Sequence, residues 1–189
     1  MNYKKYKNWY SLTRYKLIKK YKSDYKLIAG LLASTSPQYN ISRNMRVTLE
    51  IYNSYIENKQ GFLNDAIADK NYFMFAYDIM NCHYNNVIST LKHDITGNKK
   101  LLVLSGQKVD SFYNNLIGNY NRVTIDTWML RYFKHTKNWV NKTDYKYYSK
   151  AITKYAKKMK MNPAQAQAVI WIKIRHLQGY KPVNFASII

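Results

Sequence analysis

The sequence predicts an all-α fold, on three observations. Apolar residues recur three and four apart through most long segments. No stretch sustains the every-second-residue alternation of a half-buried strand. Neither a βαβ pattern nor a Gly-rich phosphate loop after a strand is present. The chain has 189 residues, the length of one compact domain. Hydrophobic residues make up 47% of it, enough for a real core.

The elements follow in order. Residues 1–26 form a basic segment with Lys4, Lys5, Lys7, Arg14, Lys16 and Lys19. Trp9, Leu12, Leu17 and Ile18 are placed there as the buried stripe of an amphipathic helix. Residues 27–189 are expected as the main all-α domain, one compact unit. Within it, Met45, Leu49, Tyr52 and Ile56 recur at helical spacing, with Val47, Ile51 and Tyr55 widening the apolar face. Residues 71–81, around Tyr72, Phe75, Ala76 and Ile79, read as a second helix. Val109, Phe112, Tyr113 and Leu116 make an i, i+3, i+4, i+7 stripe. Tyr148, Ile152, Tyr155, Ala156 and Met159 repeat that arrangement. Asn162-Pro163 opens a last helix, with Asn as cap and Pro in the first turn. Ala166, Val169, Ile170, Ile174 and Leu177 line it, and Gly179 and Pro182 stop it. Loops are expected at Ser34–Ser42, Gly97–Lys100, Ser105-Gly106 and Gly118–Arg122. Val123-Thr124-Ile125 reads as an extended entry into the next helix.

Charge narrows the partner. There are 31 Lys+Arg against 10 Asp+Glu, a formal net charge of +21. Such a charge repels itself and favours a polyanion, with nucleic acid as the default. Lys outnumbers Arg 25 to 6, and Asn, Tyr and Ile are abundant. Their codons are A/T-rich, so genome composition contributes to the bias. The longest uncharged stretch, between Lys26 and Arg43, holds Ser34, Thr35, Ser36, Pro37, Gln38 and Asn40. That is too polar for a membrane span, which needs about 20 mostly apolar residues. Met1 to Lys26 lacks an apolar run with a small-residue cleavage site, so no secretory signal is expected. Cys82, the single cysteine, excludes an intrachain disulfide and fits a reducing, cytoplasmic setting. His83, His93, His135 and His176 lack metal-ligand spacing, and no metal or cofactor is expected.

Residues 101–133 carry the chemistry. An apolar run meets a turn at Ser105-Gly106. Lys108 opens a helix, and Asp126 opens the next one 18 residues on. Gly106-Gln107-Lys108, then Ile125-Asp126-Thr127 with Arg131, resemble the Gly-x-Lys hairpin end and aspartate motif of the helix-hairpin-helix DNA glycosylase superfamily. That superfamily includes endonuclease III-like and oxoguanine glycosylases. A wider pattern resembles a group of small phage proteins: Gly106, Lys108, Val109, Phe112, Tyr113 and Asn115, then Val123 to Asp126. It continues late in the chain with Pro163, Gln165, Gln167, Ala168, Trp171 and Arg175. The likeness touches residues 27–177, and its specific part is 104–131. Three features depart from the superfamily. The hairpin lacks one of two usual glycines, Trp128 stands where a His follows Asp-Thr, and no four-cysteine cluster is present.

The resemblance implies a compact all-α domain of helix-hairpin-helix glycosylase type that acts on DNA bases. Lys108 is then the nucleophile, and Asp126 the acid–base and electrostatic partner. A neutral amine attacks where an ammonium cannot, so the Lys108 pKa has to fall through desolvation or nearby positive charge. Ser36, Gln38, Asn40, Ser105, Gly106, Gln107, Arg122 and Arg131 are candidate DNA contacts, and Tyr113 and Trp128 candidate stacking partners for a flipped base. Each has an ordinary alternative. Asp126 also suits a helix N-cap, the Ser36–Asn40 polar groups suit turns, and Tyr113 and Trp128 suit a core. The expected partner is DNA, bound by a monomer in the cytoplasm (host cytoplasm for a phage protein). Base excision, with or without lyase activity, and phage DNA base modification are both compatible. The rivals are a DNA-binding helical phage protein without chemistry and a basic virion-associated protein.

Overall fold

The computed structural model describes residues 2–189. Among them are ten α-helices and no strand, as the apolar spacing implied. They are α1 (Trp9–Tyr21), α2 (Tyr25–Ser34), α3 (Ile41–Glu57), α4 (Lys59–Ala68) and α5 (Lys70–Ala76). Then come α6 (Asn81–Ile95), α7 (Gln107–Ile117), α8 (Thr127–Tyr132), α9 (Lys142–Lys158) and α10 (Pro163–Leu177). Among the described residues no helix is long and apolar enough to cross a membrane.

Helix α2 is the axis of the fold. Every residue from Leu27 to Ser34 is buried, as suits a helix surrounded by others. It packs against α1, α3, α6 and α7. Gly30 permits the close approach of α6: a Cβ there would sit 2.6 Å from Thr90 Cγ2 and 3.2 Å from Leu102 Cδ2.

Two apolar clusters share one wall. The larger spans α1 to α7 and takes Ala164, Ala168 and Ile172 from α10. The smaller joins Val123, Ile125, Met129, Leu130, Tyr145 and Ile152 with Ala166 and Ile170 of α10. Helix α10 thus turns different faces to each cluster, and Trp171 packs against both. Asn162 caps it as foreseen, accepting from Gln165 N while Gln165 Oε1 accepts from Asn162 N.

The basic N-terminal segment packs into the main body. Trp9, Tyr10 and Leu17 belong to the larger core. Trp9 Nε1 donates to Val183 O at 3.1 Å, and Thr13 Oγ1 to Asn184 Oδ1 at 2.8 Å. These bonds clasp the C-terminal tail, and Phe185 is buried beside Trp9. The expected stripe is corrected at one position: Leu12 is 50% exposed, while Tyr10 and Thr13 turn inward.

The expected helix over 71–81 is also corrected. Helix α5 ends at Ala76, and a turn with Asp78 at φ +50° separates it from α6. Arg43 and Arg46 of α3 each hold the Asp78 carboxylate at 2.9 Å, so tertiary contacts fix the break. Tyr72 and Phe75 face outward and Phe73 is the buried aromatic.

Candidate active site

Lys108 is set by the turn before it. Gly106 takes φ +91° at the head of α7, a conformation that favours glycine. Asn86 of α6 grips the preceding residue from both sides. Its Nδ2 donates to Ser105 O at 3.0 Å, and its Oδ1 accepts from Ser105 N at 2.7 Å. Lys108 is therefore the second residue of α7, and its ammonium reaches back to Ser36. Lys108 Nζ donates to Ser36 Oγ, while Ser36 Oγ donates to Ala33 O at 2.8 Å. The loop bearing Ser36 is pinned in turn by buried His83. Its Nδ1 accepts from Met80 N at 3.1 Å, which leaves Nε2 protonated and donating to Pro37 O at 2.9 Å.

Asp126 arrives from the other side. The extended entry Val123–Ile125 is held by Tyr145, whose hydroxyl donates to Val123 O at 2.8 Å and accepts from Ile125 N at 3.2 Å. Asp126 then caps α8, with Oδ1 accepting from Met129 N at 3.0 Å. Its other oxygen, Oδ2, accepts from Trp171 Nε1 at 2.6 Å. Capping and site geometry coexist in one carboxylate.

Both side chains line the same pocket, which holds about 550 Å³ of empty space counted to its mouth. Trp9, Tyr10, Phe112, Trp171 and Phe185 give it an aromatic wall. Trp9 anchors that wall, edge-on to Trp171 at 6.0 Å and to Phe185 at 5.6 Å. The polar lining is mostly committed elsewhere. Tyr10 OH donates to Gln167 Oε1 at 2.8 Å, and Asn115 Nδ2 donates to Thr124 Oγ1 at 3.2 Å. Asn44 differs: its Nδ2 donates to Leu32 O and Thr35 Oγ1, but its buried Oδ1 has no partner.

Burial dominates the electrostatics. It pushes the Lys108 ammonium down from 10.5 to about 8, against the upward pull of Asp126. Nearby positive charge is not what lowers it. Burial likewise raises the Asp126 carboxyl, against hydrogen bonds from Met129 and Trp171 and the Lys108 charge. The two are not in ion-pair contact; the four pairs within 4 Å among the described residues lie elsewhere. An amine brought toward neutrality and a carboxylate across a gap leave room between them for a reacting group.

The other candidate residues scatter around this centre. Ser36 is in the pocket, bonded to Lys108. Gln38 is exposed at φ +61° in the same loop, and Asn40 is exposed while capping α3 through Arg43 N. Ser105, Gly106 and Gln107 form an exposed shelf beside Lys108, and Arg122 is exposed near Gln107. Arg131 lies outside the pocket, its guanidinium 4.2 Å from the Trp128 ring. Neither proposed stacking residue lines the pocket. Tyr113 is 2% exposed in the core behind it, because its place on α7 faces α2 and not Lys108. Trp128 packs edge-on to Tyr180 and beneath Arg131 and Arg175. The residues that do build the wall come from α1, α7, α10 and the C-terminal tail, and of them Phe112 and Trp171, with Gln167 beside Trp171 on α10, carried a local signal. Among the described residues no cluster of His, Cys, Asp or Glu is arranged to hold a metal.

A model of a family of unknown function, DUF7178, matches residues 4–178, and the chain belongs to that family. No curated protein and no solved structure matches it.

Proposed function

We propose that this DUF7178 member is a DNA glycosylase-like enzyme that uses Lys108 and Asp126 on a base held in the aromatic pocket. One observation carries the reading. Two residues 18 apart in sequence, singled out by their motif, line one pocket, and the amine there is depressed to about 8. The Ser105-Gly106 turn places Lys108 at the head of α7 as that reading requires, although the connection from α6 to α7, residues 96–106, is longer than the shortened hairpin expected.

In the proposed reaction the target nucleotide leaves the stack and its base enters the pocket. The neutral Lys108 amine attacks C1′. The bond from C1′ to the base nitrogen breaks, and the base departs with that electron pair and takes up a proton from solvent water. Asp126 stabilises the positive charge that develops on the sugar. It then accepts one proton from the substituted ammonium and returns it to O4′ as the C1′–O4′ bond breaks and the nitrogen lone pair forms the Schiff base. A bound aromatic base would lie among Trp9, Phe112 and Trp171. Base excision ends with this loss of the base, and phage base modification by base exchange would share its first step.

The test is incubation with a panel of modified-base duplexes plus borohydride, scoring free base and trapped adduct together. Trapping by the wild type and its loss in Lys108→Ala are expected. No adduct and no free base with any duplex would refute the enzyme reading. The rival, a DNA-binding protein without chemistry, draws support from the hydrogen bond of Asp126 Oδ1 to Met129 N, which a structural cap alone explains. It expects full duplex affinity in Lys108→Ala and no free base from the wild type.

A further inference from the structure

Helix α9 turns Tyr145, Ile152 and Ala156 inward. Its outer side carries Lys142, Lys146, Lys150, Lys154 and Lys157, all exposed. Lys146, Lys150, Lys154 and Lys157 line one shallow groove with Ser149 and Thr153 between them. A second groove shares Lys146 and continues through Lys142 and Arg122 to Gln107, the residue next to Lys108. None of these cations is among the four ion pairs of the described residues. The one acid on α9, Asp144, is turned to Asn141 Nδ2 at 3.0 Å.

A row of unpaired cations costs self-repulsion on folding and is relieved by a polyanion. The geometry suits a strand of phosphates. Lysines four apart on a helix rise about 6 Å per step, and Lys142 to Lys157 spans about 22 Å by the same rise. One DNA strand presents a charge each ~3.4 Å of axis, so the row faces about six phosphates.

We propose that the outer face of α9, continued by Arg122 and Gln107, is the track that binds the phosphate backbone of DNA and leads it to the Lys108 pocket. The identity of the polyanion rests on the DNA reading above, but the track does not depend on chemistry at Lys108.

The experiment measures duplex affinity by anisotropy between 50 and 300 mM salt. The variants are the triple Lys146→Gln/Lys150→Gln/Lys154→Gln and a control triple on the N-terminal segment, Lys7→Gln/Lys16→Gln/Lys19→Gln. Each neutralised phosphate contact contributes ~0.9 to the slope of log affinity on log salt. The α9 triple should therefore flatten that slope by about 2.7, and the control triple should leave it within one of wild type. Circular dichroism melting checks that both triples fold. Equal flattening by both triples would overturn the proposal, because charge alone would then account for binding. So would wild-type protein that ignores duplex, whether or not it binds phosphatidylserine vesicles. A flattened slope in the α9 triple together with absent borohydride trapping keeps the track and removes the enzyme reading.

Discussion

Trp171 Nε1 lies 2.6 Å from Asp126 Oδ2, so the helix shared by both cores fixes the carboxylate of the candidate site. That bond also opposes the upward shift that burial imposes on the Asp126 carboxyl. Trp171→Phe removes the donor and keeps most of the apolar contact. A hydrogen bond to a charged group contributes about 1.5–3 kcal/mol, and that loss should appear by urea denaturation at pH 8. The loss should shrink at pH 4, where a protonated Asp126 no longer needs the indole. An equal loss at both pH values would mean that Trp171 acts through packing alone.

Lys108 should cost stability where it is charged. Its folded-state value of about 8 lies below the ordinary 10.5, so the unfolded chain binds more protons between those values. The penalty is therefore full below about pH 8 and disappears as pH rises towards 10.5. Lys108→Met should stabilise the protein by about 1–2 kcal/mol at pH 7, since an apolar side chain of similar volume replaces a buried charge. The gain should vanish by pH 10.5. Borohydride trapping by the wild type should rise with pH through about 8, as the amine becomes neutral. Melting curves and trapping time courses across pH 6–10.5 test both statements, and a Lys108→Met variant less stable than wild type at pH 7 would contradict the first.

Much of the fold was legible in the residues. The stripe Val109–Leu116, the Asn162-Pro163 start and the extended Val123–Ile125 entry all stand where the spacing put them. Helix α6 was not legible, because His83, Asn86 and Thr90 are buried among its apolar residues and dilute the period. Those same polar residues brace the site loops and meet α2. Helix α4 carries only Leu63 and Ala66 inward, too few to mark a stripe. For the site, Lys108 and Asp126 could be picked out by motif, as could Phe112 and Trp171 of the wall, whereas their meeting with Trp9 and Phe185 could not. Trp9, Phe112 and Phe185 meet only because the two chain ends fold back together, a relation no local window contains.

The α2–α6 contact makes a sharp test of packing against propensity. Alanine favours a helix interior over glycine by about 1 kcal/mol. At position 30, however, the new Cβ would lie 2.6 Å from Thr90 Cγ2, well inside van der Waals contact. Overpacking of a tight core costs about 1–3 kcal/mol, so Gly30→Ala should be destabilising by about 1 kcal/mol net. Thr90→Ala in the same chain should recover most of that loss. A Gly30→Ala variant more stable than wild type by urea denaturation would show that α6 yields to the methyl group.

His83 joins acid sensitivity to the position of Ser36. Burial lowers its imidazole below the ordinary 6.5, with the Lys108 and Arg43 charges adding to the fall and the Pro37 carbonyl opposing it. A value depressed in the folded state contributes stability above the unfolded pKa, and this is lost as pH falls through the folded one. Protonation would also remove the Nδ1 lone pair that accepts from Met80 N. The wild type should therefore lose stability below about pH 6.5 by one His83 proton. His83→Gln keeps an acceptor for the Met80 N–H, as glutamine does in a capping box, but gives up the bond to Pro37 O. That variant should fold with a loss of about 1–2 kcal/mol at pH 7 and a shallower acid limb. If Ser36 orients the Lys108 amine, its borohydride trapping should fall about tenfold, a factor equivalent to 1.4 kcal/mol. Its salt slope for duplex binding should stay at the wild-type value. Unchanged trapping with a loosened Ser36 loop would separate the serine from the chemistry and leave it a turn residue.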